Sequence, residues 1–244
     1  MQNKTPEAMA ELFLKDGLLF FPKIYSDEWV AKAFDIGMSD FNQTYSKSPT
    51  TGVGKDAGSS QIVQRSKGRF DVKARFLETD LFQEPSGIED QPWHPVLKKL
   101  LGDDLKPILQ GMVVALPEAQ EQSWHIDGDH LFPTSIPHLP PHCINVFIPL
   151  VDVTEANGPT EFCPGSHPLT NGIPKIYSPD PEHLSRTGYS GKPIKGTAPK
   201  GSAILFDYRV LHRGLPNLSA EPRPLMYISF AKHWFRDRTF TSGY

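Results

Sequence analysis

Apolar residues change their spacing near residue 105. Before it they recur at helical intervals; after it they fall in short runs separated by turn residues. Residues 6–15 read as a helix, with Thr5 as its cap and Leu12 and Phe13 on its apolar face. Leu18-Leu19-Phe20-Phe21, between Gly17 and Pro22, reads as a short buried strand. Ser26-Asp27-Glu28 opens a second helix that carries Trp29, Val30, Ala33 and Phe34 at helical spacing. The Ser-, Thr-, Gly- and Lys-rich stretch 46–68 is expected as a surface loop and a candidate lid. Residues 91–101 predict a third helix, with Pro92 near its start and Gly102 at its end. Beyond Lys106 the runs 108–116, 123–127, 144–150, 160–163, 203–207 and 225–231 predict strands of a sandwich or barrel. Residues 177–200, rich in proline and glycine, read as a long insertion between strands.

The length suits one domain over residues 1–244, with 1–104 as helical support and lid loop and 105–235 as the β core. Aromatics at 11% and 24 prolines favour a loop-rich β protein over a helical bundle. The formal net charge is −3 and no segment masses positive charge, which argues against nucleic acid or an anionic membrane as the main partner. No apolar run reaches the length of a membrane span. Residues 1–7 lack the basic-then-apolar order of a secretory signal, so a cytoplasmic protein is expected. Cys143 and Cys163 fit that compartment as buried free thiols without a catalytic role. Oligomeric state is left open by the sequence.

The chemistry concentrates in His125-Ile126-Asp127. On a strand, residues two apart share a face, so one imidazole and one carboxylate aim at the same point. His212 supplies a second imidazole, and Arg223 follows it by eleven positions. Two histidines and one carboxylate form the facial triad that holds non-haem Fe(II) and keeps positions open for oxygen chemistry. An anionic 2-oxo acid suits such a centre, and an arginine fork suits the far carboxylate of that acid.

Several motifs agree in order and spacing: His125-x-Asp127, Asn157-Gly158-Pro159-Thr160-Glu161-Phe162-Cys163-Pro164-Gly165-Ser166-His167, Lys200-Gly201-Ser202-Ala203-Ile204-Leu205-Phe206-Asp207, His212 and Arg223-Pro224. Together they resemble the phytanoyl-CoA dioxygenase-like family of Fe(II)/2-oxoglutarate-dependent oxygenases. The resemblance covers roughly 105–235 and, more weakly, the N-terminal helices. It implies a mainly β fold, a double-stranded β-helix (a jelly-roll or cupin-like barrel) with flanking N-terminal α-helices. It implies that His125, Asp127 and His212 are the iron ligands and that Arg223 anchors the distal carboxylate of 2-oxoglutarate. Thr160, in a Gly-x-Thr sequence, is implied as a hydroxyl contact to the same co-substrate. The implied cofactors are Fe(II), 2-oxoglutarate and O2. The implied reaction oxidises a C–H bond of a small organic metabolite, with release of succinate and CO2. Asp127 is present, which favours hydroxylation over halogenation. Two alternatives stay open: a cupin-type metal enzyme that does not use 2-oxoglutarate, and a non-catalytic barrel that binds without turnover.

Other polar residues have plainer readings. Trp124 should face away from His125, into the core. Asp129 and His130 follow Gly128, where the strand should break, and a structural role is favoured for both. His138 and His142 sit in a proline-rich loop and read as solvent-exposed. His167 should shape its turn. Gly52-x-Gly54-Lys55 lacks the spacing of a phosphate loop. Arg65, Lys67, Arg69, Lys73 and Arg75 form a basic cluster, expected as a solvated strand face unless one of them meets an anionic substrate. The loops 46–68 and 133–141 are expected to choose the substrate.

Overall fold

The Thr5 hydroxyl accepts a hydrogen bond from the Ala8 N–H, Pro6 fills the first turn, and helix α1 runs from Pro6–Asp16. The computed structural model describes residues 4–47, 62–83, 87–132, 139–171 and 183–236. Strand β1 (Leu18–Phe21) follows α1, then helix α2 (Asp27–Lys47), which continues past its expected apolar stretch and into the start of the expected loop. Of that loop, 48–61 lies outside the described residues, and Gly52-x-Gly54-Lys55 with it.

Its distal end is not loop. Residues Ile62–Ser66 form β2, which turns at Lys67 and Gly68 into β3 (Arg69–Val72). The alternation of Ile62, Gln64 with Phe70, Val72 carries the hairpin, and a loop-like composition upstream masks it. Three short 3-10 turns follow, at Phe76–Glu78, Asp80–Phe82 and Ile88–Asp90. The third helix, α3, starts later than expected, at His94–Leu101, because Pro95 rather than Pro92 occupies its first turn.

The remaining strands are β4 (Lys106–Ala115), β5 (Cys143–Pro149), β6 (Thr160–Phe162), β7 (Ile194–Lys195), β8 (Ala203–Asp207), β9 (His212–Gly214) and β10 (Arg223–Ala231). Helix α4 (His183–Arg186) and β7 fall inside the expected insertion, of which 177–182 lies outside the described residues. The large sheet has the order β1-β8-β5-β10-β4-β3-β2 and the small one β7-β6-β9, all neighbours antiparallel. The mainly β architecture with N-terminal helices is thus as expected. Among the described residues no continuous ladder closes the two sheets into a barrel. Residues 123–127 are not a strand either. Only His125 pairs, through one bridge to His212.

The large sheet works with both faces, because strand side chains alternate. On one face Met226, Ile228 and Phe230 join Met112, Val114, Ile144, Val146 and Ile148 in the core beneath the helices. On the other, Arg223, Leu225, Tyr227 and Ser229 line a cavity of about 490 Å³. Each fully buried aliphatic chain on the core face contributes roughly 1.5–3 kcal/mol. That packing holds the cavity floor in place. Among the described residues no helix is long and apolar enough to cross a membrane.

Candidate metal centre and its cavity

His125 and His212 meet backbone to backbone. The His125 N–H donates to the His212 carbonyl at 3.0 Å, and the His212 N–H returns the bond at 2.9 Å. Their rings lie 4.4 Å apart between centroids. The chain then holds Asp127 by a bond from its N–H to the Tyr208 carbonyl at 2.8 Å. Gly128 is required next. A Cβ there would sit 1.7 Å from the Tyr208 ring. One ligand atom from each of His125, Asp127 and His212 falls within 4.8 Å of the others.

The donor set fits a metal ion. His125 Nδ1 lies 2.8 Å from the Ser123 carbonyl and His212 Nδ1 lies 2.9 Å from the Val210 carbonyl. A carbonyl only accepts, so each Nδ1 carries the proton and each Nε2 presents its lone pair. Those Nε2 atoms face the carboxylate, His125 at 4.0 Å from Asp127 Oδ1 and His212 at 3.6 Å from Oδ2. Burial, and for His125 the neighbouring His212, lowers the imidazole pKa values to about 3 and about 4. Both rings are therefore neutral at pH 7, as metal ligation demands. The Asn145 amide donates to Asp127 Oδ2 at 2.7 Å, and the Ser229 hydroxyl donates to Asn145 Oδ1 at 2.6 Å. This chain fixes the carboxylate plane.

A second feature lies further along the cavity. Arg69 and Arg223 are both 1% exposed and both line it. Arg223 Nη2 donates to the Gly158 carbonyl at 2.7 Å and Arg69 Nη2 to the Leu215 carbonyl at 2.5 Å. Among the described residues Arg69 Nε and Arg223 Nε and Nη1 meet no hydrogen-bond partner. Burial lowers the pKa of Arg69 to about 10, and burial with the charge of Arg69 holds Arg223 well below its usual value. Unsatisfied buried donors on two like charges constitute a site for an anion. Thr160, buried at the start of β6 opposite Gly214, lines the same cavity.

The sequence-expected residues thus converge: His125, Asp127, His212, Arg223 and Thr160 all border one cavity. Other expectations need correction. His142 is not a solvent-exposed loop residue. It is 1% exposed, with Nε2 at 2.8 Å from the Tyr208 hydroxyl and the Phe235 ring beside it. Its neighbour Cys143 begins β5, and the strand carries His142 inward. His138 lies outside the described residues, as do 133–138 of the expected specificity loop. The basic cluster is no uniform solvated face. Lys67 and Arg75 are exposed, but Arg65 and Arg69 line the cavity, Arg65 held by the Asp71 carboxylate across the hairpin and Arg69 by the Leu215 carbonyl. His130 bonds Thr170 and Asp129 gives its carbonyl to Tyr208, both structural contacts. His167 Nε2 reaches the Leu14 carbonyl and pins its turn to α1. Trp124 is buried with Ile126, Cys163 and Leu211, and both cysteines are buried and outside any disulfide.

Sequence reasoning missed Asn145, Tyr227 and Ser229. The parity of β10 was the available signal: residues 227 and 229 share the face of Arg223. It also missed the buried ion pair of Asp207 and Arg209, whose i, i+2 spacing precedes His212.

A family model described as phytanoyl-CoA dioxygenase (PhyH) matches residues 13–225. Similar solved structures include AviO1 from Streptomyces viridochromogenes Tue57, at 17% identity and TM-score 0.66, covering 96% of this chain and 97% of that one. The non-heme alpha ketoglutarate dependent carbocyclase SnoK from nogalamycin biosynthesis matches at 18% identity and TM-score 0.63, over 95% of this chain and 85% of its own. The epimerase SnoN, in complex with Fe3+, alpha ketoglutarate and nogalamycin RO, matches at 16% identity and TM-score 0.63, over 93% and 83%. At these identities the likeness establishes the fold.

Proposed function

The chain belongs to the phytanoyl-CoA dioxygenase family, and from that we propose that it is an Fe(II)/2-oxoglutarate-dependent dioxygenase acting on a small organic metabolite. The observation that carries the reading is the joint presence, in one cavity, of a His-Asp-His ligand set and a pair of buried, incompletely satisfied arginines. A metal enzyme with no keto acid has no use for that pair. The similar SnoN structure, with its iron and alpha ketoglutarate, supports the same cofactors here. In this reading residues 1–244 act as one oxygenase domain.

His125, Asp127 and His212 would hold Fe(II), and Arg223, helped by Arg69 and the Thr160 hydroxyl, would bind the distal carboxylate of 2-oxoglutarate. When bound with O2, these cofactors supply oxidation of a substrate C–H bond with release of succinate and CO2. The chain's own residues do the rest. Ser123 and Val210 carbonyls orient the imidazoles, Asn145 fixes the carboxylate, and Leu225, Phe147 and Val113 keep the cavity wall dry. Arg69 and Arg223 would hold the far carboxylate of the co-substrate at the wall they share.

The test is a titration of the Fe(II) protein with 2-oxoglutarate under nitrogen. A weak visible absorption band that saturates is expected. Metal uptake without such a band would leave a cupin-type enzyme, and no metal uptake would leave a binding module.

A further inference from the structure

We infer that the substrate end of this cavity selects an organic acid with an apolar body, and that Arg65 receives its carboxylate. The inference rests on the oxygenase reading above and deepens it.

Charge is the first observation. Among the described residues the cavity wall carries Arg65, Arg69, Lys106, Arg223 and Arg236 against Asp71 and Asp127. That is five cationic side chains against two carboxylates, an excess of three. Fe(II) and doubly charged 2-oxoglutarate cancel one another and leave the excess standing. Arg69 and Arg223 belong to the co-substrate end, beside Thr160 and Gly158. Lys106 and Arg236 lie towards the far ends of β4 and β10, where they steer an anion inward.

Preorganisation is the second. The Arg65 guanidinium is held by its Nε and Nη2, which donate to Asp71 Oδ2 at 3.0 and 2.5 Å. The Tyr227 hydroxyl donates to Asp71 Oδ1 at 2.9 Å. Tyr227 reaches Asp71 by crossing β4 at Gly111, where a Cβ would lie 2.5 Å from its hydroxyl oxygen. Asp71 thus has donors on both oxygens and is a poor partner for a substrate ammonium. Arg65 is instead a rigid, mostly buried fork on the floor, with side-chain exposure of 12%. The same cavity is lined by the apolar side chains of Ile108, Leu109, Phe147 and Phe235. A fixed guanidinium among apolar side chains recognises a carboxylate on a hydrocarbon or aromatic body.

The test uses protein loaded with Mn(II) and N-oxalylglycine, which fills the co-substrate end, and three probes of one shape: 4-phenylbutyrate, 4-phenylbutyramide and 4-phenylbutylamine. Binding is read by ligand-observed NMR and by thermal shift. The acid is expected to bind at least about tenfold more tightly than the amide, the worth of a charge-assisted bond, and the amine not at all. Arg65→Gln should erase the preference for the acid. Lys67→Gln, an exposed cation on the same hairpin, should keep it. If Arg65→Gln fails to fold, Arg65→Lys should retain the charge, lose the fork and show a reduced preference. Equal binding of acid and amide, no binding of the acid at millimolar concentration, or a full preference in either Arg65 variant would overturn the assignment. A protein that takes up neither Mn(II) nor N-oxalylglycine contradicts the oxygenase reading. One that takes up both and ignores the acid contradicts the inference and leaves the oxygenase reading standing.

Discussion

Arg69 and Arg223 stand on one rung of the large sheet, on either side of Ala115, and both bury a guanidinium with donors left unmatched. Like charges so placed repel each other until an anion arrives. Arg223→Gln should weaken 2-oxoglutarate binding by about a hundredfold and Arg69→Gln by about tenfold, in line with lost charge-assisted bonds. The anaerobic titration reads both. Without co-substrate the sign reverses: Arg69→Met should raise unfolding stability by about 1 kcal/mol, since an uncompensated buried charge is removed. Urea unfolding of the metal-free protein checks it.

Asp127 is the one carboxylate among the three residues proposed to hold the metal ion. Asp127→Ala should abolish substrate-coupled succinate formation and lower the metal content of purified protein to background. Near-normal turnover in that variant would refute the ligand assignment.

Asn145 holds Asp127 through one amide N–H, and Ser229 holds Asn145. Asn145→Ala should reduce metal affinity by about tenfold to a hundredfold, the usual cost of losing a partner behind a ligand. Ser229→Ala should have a smaller effect in the same direction. Mn(II) titration followed by electron paramagnetic resonance measures both without turnover.

Arg209 clamps Asp207 through Nε at 2.8 Å and Nη2 at 2.6 Å, and both side chains are buried. The segment they brace supplies the Tyr208 and Val210 carbonyls that hold Asp127 and His212. Breaking one side of such a pair leaves a buried charge. Asp207→Asn or Arg209→Met should each cost about 3–5 kcal/mol, and the double variant less than the sum. Denaturant unfolding of the three variants decides it.

His142 makes stability depend on pH. Burial, and then the charge of Arg209, lowers its folded pKa to about 3, against about 6.5 in an unfolded chain. Below pH 6.5 the unfolded chain takes up a proton that the folded one refuses. The stability is therefore whole above that pH and declines as pH falls towards 3. The slope for this one group approaches about 1.4 kcal/mol per pH unit. His142→Gln should flatten the decline between pH 6 and 4 by that amount, as measured by urea unfolding at a series of pH values.

That His125, Asp127, His212 and Arg223 border one cavity was legible because several motifs agree in order and spacing, though each alone is weak. The path between them was not. His125 to Asp127 looked like a strand, yet the segment is held by one bridge and the Tyr208 carbonyl, contacts that depend on residues eighty positions away. Arg65 and Arg69 looked solvated because charge usually is. Their burial follows from contacts made only in the folded chain, Arg69 with the Leu215 carbonyl 146 positions away and Arg65 with Asp71 across the hairpin. His142 was misread for the same reason: the prolines around it signal a loop, while its side chain follows β5 inward.

The alternation along β10 separates two kinds of change. Even positions 226, 228 and 230 belong to the hydrophobic core, and odd positions 225, 227 and 229 face the cavity. Residue parity therefore divides heritable variation into two nearly independent ledgers. A lineage could exchange odd-numbered side chains and explore new chemistry while the even ones keep the scaffold upright. A library confined to the odd positions would retain folding and diversify selectivity, and one confined to the even positions would lose both together.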